Sequence, residues 1–225
     1  MITLGVDTSA AMLSVAIADG ERLLGETFAH GKQKNSEALL PMIDSLLCGC
    51  GLTISDIGRF AVTNGPGSFT GVRIGVATVK GLADADGKLC AGVSTLAAMS
   101  AGAPNLEGLH CCAMDARRAQ VYAALFRAAD GQIARLCEDE ALPITELEQR
   151  LEQQDGPVWF LGDGAALCCE TMQQRNDWQL APEQLRYQRG YGAILAAGEG
   201  DYRAAALLRA VYLRPSQAER ERMTT

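Results

Sequence analysis

The stretch Asn64-Gly65-Pro66-Gly67-Ser68-Phe69-Thr70-Gly71-Val72-Arg73-Ile74-Gly75 decides the fold, because it joins an apolar run, Arg59 to Thr63, to a periodic apolar segment. Four glycines and a proline in twelve positions are too many for a helix interior and too ordered for a linker. Gly65 and Gly67 permit positive φ on either side of Pro66, Thr70 or Ser68 can cap, and the helix opening from Gly71 begins with N–H groups that lack internal partners. Such a turn receives either an anion or the backbone of a neighbouring element. No Lys-Ser or Lys-Thr follows the glycines, so it is not a Walker loop, and the spacing does not fit G-x-G-x-x-G.

Outward from this turn, the chain of 225 residues suits one large domain or two small ones, with 48% hydrophobic and 21% charged residues. Twenty basic residues against 27 acidic give a net charge of −7. The chain as a whole lacks the footprint of a protein that grips nucleic acid unaided, so any tRNA or DNA would be reached only indirectly, through a basic partner. No apolar run approaches the roughly 20 residues that span a bilayer, and Met1 to Ser9 has no basic region before a long apolar one. A cytoplasmic protein with no membrane contact is expected.

Toward the N-terminus, Ile2 to Val6 ends in Asp7-Thr8-Ser9. Leu13 to Ala18 then turns at Asp19-Gly20 into a third strand around Glu21 to Phe28, a β-meander. The middle of the chain repeats the plan: Leu109 to Met114, Asp115-Ala116-Arg117, Gln120 to Phe126, and a turn at Asp130-Gly131 into Gln132 to Cys137. The repetition predicts two similar lobes, residues 1–104 and 105–225, with the last helix or strand packing back on the first lobe. Helices are expected from Asn35 or Ser36 (either of which can cap) to about Cys50, from Gly71 to about Ala85, and from Thr95 to Ala101. In the second lobe they are expected from a capping box at Thr145 to Glu148, over Asp163 to Gln174, and over Tyr191 to Ala197. Val211 to Arg214 reads as a last strand or an extended docking segment, and the charged run after Gln217 as solvated surface.

A strand-end aspartate in each of two lobes is how an actin-like or hexokinase-like ATPase holds magnesium and phosphate. Asp7, Thr8 and Ser9 with Asp115 and Arg117 therefore form a possible cleft. That reading competes with plain turn carboxylates, and no second glycine-rich phosphate loop of the Asp-Gly-Gly or Gly-Thr-Gly kind is evident. The eight cysteines contain no C-x-x-C and sit mostly in apolar segments, where free cysteine packs as a small hydrophobe. His30 and His110 are read as surface or turn residues. No metal ligand set and no catalytic residue is assigned.

LGVDTS at the start, NSEALLP at Asn35 to Pro41, the glycine-rich stretch, MDARRAQVY at Met114 to Tyr122, and YLRPSQAE near the end resemble the TsaB (YeaZ) family over essentially the whole chain. The resemblance implies a two-lobed actin-like (ASKHA, ribonuclease H-like) α/β fold, each lobe a mixed sheet with flanking helices. It implies no catalysis by this chain. The expected role is as scaffold and activator of a catalytic paralogue, TsaD, with an ATPase, TsaE, in forming threonylcarbamoyladenosine beside the anticodon of tRNAs that read codons starting with A. ATP and metal would then reside on the partners. The alternative is a free-standing actin-like ATPase or kinase using Asp7 and Asp115. Asn35 stands where the family commonly has histidine. The paralogue carries two histidines, four apart, that bind its metal, and Thr95 and Met99 occupy their places in Val93 to Met99. A hydroxyl and a thioether do not replace two imidazoles.

The two helices around the central turn carry apolar residues over more of their circumference than one core-facing stripe requires. Leu39, Leu40, Ile43 and Leu47 on the first, with Val72, Gly75, Val76 and Val79 on the second, are therefore expected to meet the same helices of a second subunit, in a homodimer or with the paralogue. Val76 is expected to face outward. Gly71 and Gly75 are read as allowing another helix to approach.

Overall fold

The computed structural model describes residues 1–30, 34–173 and 175–214. Its first half builds β1 (Ile2–Asp7), β2 (Met12–Asp19), β3 (Arg22–His30), α1 (Asn35–Gly49), β4 (Arg59–Gly65), α2 (Phe69–Ala85), β5 (Leu89–Ser94) and α3 (Thr95–Ala101). The β-branched and apolar runs of β1, β2 and β4 are buried on both faces, as strands covered on two sides must be. Gly20, at φ 58°, makes the tight reversal from β2 into β3. The second half builds β6 (Gly108–Asp115), β7 (Gln120–Ala129), β8 (Gln132–Arg135), β9 (Glu140–Pro143), α4 (Ile144–Glu152), β10 (Val158–Leu161), α5 (Ala165–Thr171), β11 (Trp178–Leu180) and α6 (Glu183–Arg186). The chain then returns to the first sheet as α7 (Gly190–Ala196) and β12 (Arg203–Ala204).

The sheets share one topology. The first runs β12-β5-β4-β1-β2-β3 and the second β11-β10-β6-β7-β8, with β9 also on β7. In each, an antiparallel meander is extended by parallel strands on the side of its first member: β4 and β5 beyond β1, β10 and β11 beyond β6. The repeated sequence plan is therefore a repeated topology.

Helices α1 and α2 cover one face of the first sheet, burying Leu39, Ile43 and Leu47 with Val72, Val76 and Val79 against Val6, Val15, Phe60 and Val62. Val76 is only 9% exposed, which corrects the expectation that it faces outward: the sheet claims that flank of the helix. Helix α3 lies between the lobes. Its Ala98 packs with α7 and the first sheet, while Leu96 and Met99 pack on Cys112, Met114 and Phe126 of the second.

Several local expectations are corrected. Helix α1 is capped by Lys34 without a side-chain hydrogen bond; the amide of Asn35 donates instead to the carbonyl of Thr8 at 3.3 Å. Helix α4 begins at Ile144 after Pro143, with no side-chain cap, so Thr145 to Glu148 is not a capping box. His110 is fully buried on β6. Its Nε2–H donates to the Leu106 carbonyl at 2.7 Å and its Nδ1 accepts from the Ser100 hydroxyl at 2.9 Å. A carbonyl only accepts, which fixes the tautomer, and burial holds the imidazole below its ordinary pKa. Val211 to Arg214 is not a strand: it bends at Leu213 and Arg214 and, among the described residues, makes a single backbone hydrogen bond to β4, from the Val211 N–H to the Asn64 carbonyl. The run after Gln217 and the SQAE portion of the terminal motif lie outside the described residues, as does Gln174.

Candidate functional site

The end of β1 and the glycine-rich turn form one interlocked unit. Asp7 is fully buried, and its carboxylate accepts from the Thr63 hydroxyl at 2.5 Å, the Ser9 hydroxyl at 2.9 Å and the Ser9 N–H at 3.2 Å. Burial pushes its pKa up to about 6, against the pull of these hydrogen bonds. The Thr8 hydroxyl donates to the Gly71 carbonyl at 2.7 Å, and the Ser68 N–H donates to the Ser9 carbonyl at 2.6 Å.

The glycines make this contact sterically possible. A Cβ at Gly67 would sit 2.4 Å from the Ser9 carbonyl oxygen, at Gly71 2.1 Å from that of Thr8, and at Gly75 2.4 Å from the Thr8 hydroxyl. Gly65 and Gly67 also hold φ of 130° and 155°. Of the two occupants the sequence allowed, the turn holds the chain's own backbone. The close approach expected of another helix at Gly71 and Gly75 is made instead by Thr8, because that face of α2 turns toward β1. Ser68 is the cap, accepting from the Gly71 N–H at 3.3 Å; Thr70 is exposed.

The C-terminal segment grips the other side of the turn. The Asn64 carbonyl accepts from the Val211 N–H at 2.7 Å, and the Asn64 amide donates to the Arg209 carbonyl at 3.0 Å. Tyr212 stacks on Phe69, ring centroids 4.4 Å apart. The Arg73 guanidinium lies 3.9 Å over Phe69 and donates through Nε to the Tyr212 hydroxyl at 2.9 Å. Arg214 then reaches the second lobe, donating to the Ala116 carbonyl at 3.2 Å. Residues 211–214 thus strap the lobes across a cavity of about 580 Å³ walled by both.

On the far wall, β6 ends at Asp115, whose Oδ1 accepts from the Arg117 N–H at 2.7 Å. Arg117, Arg118 and Ala119 follow with φ of 67°, 58° and 54°, three consecutive side-chain-bearing residues in the left-handed region. Asp163 faces Asp115, accepting from its N–H at 3.3 Å. Desolvation first, and then the Asp115 carboxylate, hold Asp163 above the ordinary carboxylate range. Sequence spacing does not single out Asp163; the topology does, because Gly162-Asp163-Gly164 follows strand β10 as the central turn follows β4. A Cβ on Gly162 would lie 2.0 Å from the Ala113 carbonyl oxygen, the same close packing on the end of the meander's first strand.

The cleft thus brings together Ser9, Ser68, Asp115 and Arg117. Asp7 and Thr8 lie behind its wall. An actin-like fold implies magnesium-nucleotide between strand-end carboxylates, and these residues do not fit that group: Asp7 is committed to hydroxyl and N–H donors. Among the described residues no group of three His, Cys, Asp or Glu side chains could hold a metal.

Of the residues expected on a partner face, Leu39, Ile43, Leu47, Val72, Gly75, Val76 and Val79 are buried in the chain itself. This corrects their assignment to the surface. Leu40, at 49% exposure, faces out.

Comparison with known proteins accounts for this architecture. Residues 24–210 match the family model for TsaD, tRNA N6-adenosine threonylcarbamoyltransferase. TsaB of Bacillus subtilis (strain 168), a tRNA threonylcarbamoyladenosine biosynthesis protein, is 33% identical over 167 residues, covering 74% of this chain and 73% of the relative. The TsaB of Escherichia coli (strain K12) is 34% identical over 167 residues, covering 73% and 72%. The chain belongs to the TsaB (YeaZ) family. The solved structure of YeaZ from Pseudomonas aeruginosa superposes with a TM-score of 0.81 at 27% identity, covering 94% of this chain and 99% of that one. The fold is the two-lobed actin-like one, mixed sheets with flanking helices, and no described helix is long and apolar enough to cross a membrane.

Proposed function

We propose that this member of the TsaB family serves threonylcarbamoyladenosine formation in tRNA as a non-catalytic subunit. It scaffolds and activates a TsaD-like catalytic chain, works with a TsaE-like ATPase, and pairs with a second copy of itself when the catalytic chain is absent. ATP and metal belong to the partners, and the chain acts in the cytoplasm.

The observation that carries this reading is the state of α3. Thr95 and Met99 are buried between the lobes, 0% and 1% exposed. Met99 packs among Leu96, Met114 and Leu161, so the positions that would present ligands to a cleft present apolar and hydroxyl groups to a core. Asp7, locked by Thr63 and Ser9, supports the same reading against a free-standing ATPase.

Affinity capture from the native cytosol, using the intact chain as bait, tests the proposal. Recovery of the TsaD-like and TsaE-like chains is expected, with no binding of magnesium-ATP tighter than millimolar by titration calorimetry on the chain alone. A micromolar ATP site lost in Asp7→Ala, with neither partner captured, would overturn it.

A further inference from the structure

The cleft mouth concentrates cations and aromatic rings in a chain whose net charge is −7. Arg117, with an 88% exposed side chain, and Arg118 stand on the β6–β7 loop. Arg214 joins them, donating to the Ala116 carbonyl and lying 5.9 Å from the centre of Tyr122, while Arg73 stands on the first lobe over Phe69. Tyr212 is 39% exposed beside them. Phe69, Arg117, Tyr122, Tyr212 and Arg214 all line the same cavity.

Two features mark the loop as built for presentation. Three successive left-handed residues without glycine store backbone strain, which persists where the surroundings enforce it and clusters at functional sites. No apolar group rewards that conformation, because Arg117, Arg118 and Ala119 are all exposed. The carboxylates of Asp115 and Asp163 repel a phosphate from the floor, and the Asp115 carboxylate lies 3.5 Å from one Nη of Arg117; an anion therefore settles on the outer, solvent-facing edge of the rim guanidiniums.

We infer that this rim binds single-stranded RNA, with phosphates on Arg117, Arg118 and Arg73 and a base stacked on the exposed ring of Tyr212. Guanidinium groups interleaved with aromatic faces are what unpaired nucleotides require, since every base has a π-face and every linkage a charge. A bare polyanion would use the arginines and ignore the rings. The choice of RNA over other nucleotide polymers rests on the tRNA-modification reading above; the rim itself does not.

Fluorescence anisotropy with a labelled single-stranded RNA of about ten nucleotides, titrated with the intact chain at several salt concentrations, tests this. About three neutralised phosphates predict a slope of log K against log salt of about −2. Asparagine tolerates the left-handed region, so the double variant Arg117→Asn, Arg118→Asn keeps the loop conformation. It is expected to bind about tenfold more weakly at low salt, with a slope flatter by about 1.4. Tyr212→Leu is expected to lose about tenfold for RNA and nothing for inorganic polyphosphate. Three results would overturn the inference: no saturable binding by the unmodified chain at low salt, an unchanged slope in the double variant, or polyphosphate competing with RNA charge for charge on the unmodified chain. The double variant should still capture the TsaD-like chain. If it loses that capture as well, the loop is a partner contact and the RNA assignment fails while the family reading stands.

Discussion

Asp7 and Asp115 occupy the same place in a repeated topology, at the end of the first meander strand of each sheet, and their surroundings are opposite. After Asp7 the chain is clamped: Thr8 and Ser9 are pinned against Gly67, Gly71 and Gly75 of the central turn. After Asp115 it is open, with Arg117 and Arg118 in solvent and the second carboxylate of Asp163 facing the first. The difference follows from the two turns that receive these loops. The first lobe uses a long turn whose glycines line a seat for backbone. The second uses the short Gly162-Asp163-Gly164, which packs just as closely but inserts a charge. One lobe has turned its half of an actin-like cleft into structure, and the other has kept a polar, accessible wall.

The clamp is the more fragile half. Gly71→Ala would bring a Cβ within 2.1 Å of the Thr8 carbonyl, whereas Gly81, on the same helix, has no atom within 4 Å of its Cβ position. Gly71→Ala is expected to lower the unfolding free energy by about 3 kcal/mol through overpacking, and Gly81→Ala to raise it by up to about 1 kcal/mol through helix propensity. Urea midpoints measure both. Equal midpoints for the two variants would mean that Thr8 is not seated where the clamp requires.

A comparable effect, now dependent on pH, separates the two aspartates. The folded-state pKa of Asp7 is raised to about 6, above the unfolded value of about 3.9. Between these values the folded state binds more protons than the unfolded one, so stability falls as pH rises through that window and levels off above it. Two pKa units amount to about 3 kcal/mol. Asp7→Asn is therefore expected to gain on the unmodified chain from about pH 4 to about pH 6 and to hold a constant advantage above. Asp115→Asn, on the open side, should stay within about 0.5 kcal/mol of the parent at pH 7. A flat difference curve for Asp7→Asn would break the contrast.

The sequence made the repetition legible because it is carried by residues that also dictate local structure: strand-end aspartates, D-G turns and a β-to-α turn too rich in glycine for anything else. It grouped Asp7, Thr8 and Ser9 with Asp115 in a cleft and did not set them against the central turn, since a glycine seat for backbone and one for an anion have the same composition. Asp163 was illegible as a site residue because a three-residue G-D-G turn carries little signal without the topology that puts it opposite Asp115. The apolar breadth of α1 and α2 was read correctly but assigned wrongly. A sheet with helices crossing its face claims a wider arc of each helix than a single stripe, so Val76 and Val79 face inward. His110 was misplaced because a buried imidazole needs only a hydroxyl and a carbonyl, and neither Ser100 nor the Leu106 carbonyl is marked in sequence.

The strap gives a smaller test. Tyr212→Ala removes a ring stacked 4.4 Å from Phe69 and the acceptor of the Arg73 Nε–H. The expected cost is about 1 kcal/mol, with faster hydrogen exchange at the Val211 N–H, which donates to the first lobe's Asn64 carbonyl. Unchanged exchange would mean that the backbone bond holds the strap unaided.

The smallest effect on stability carries the largest consequence for assembly. The lobes differ again in their covering helices: α1 and α2 have 15 and 17 residues, α4 and α5 only 9 and 7. The long pair shows Leu40, Ala77 and Gly81 on its outer flank, exposed in the isolated chain. A leucine at 49% exposure contributes little to the fold, so Leu40→Lys should alter the unfolding free energy by less than about 0.5 kcal/mol. If the outer flank is where the second copy and the TsaD-like chain dock, the same lysine lies in a desolvated interface. There, one misplaced side chain costs about 2 kcal/mol, roughly thirtyfold in affinity. The parent should then elute as a dimer, and the variant as a folded monomer that no longer captures the catalytic chain. Equal elution and equal capture, with the fold intact by circular dichroism, would move the docking surface off this flank and leave the difference in helix length without an assembly role.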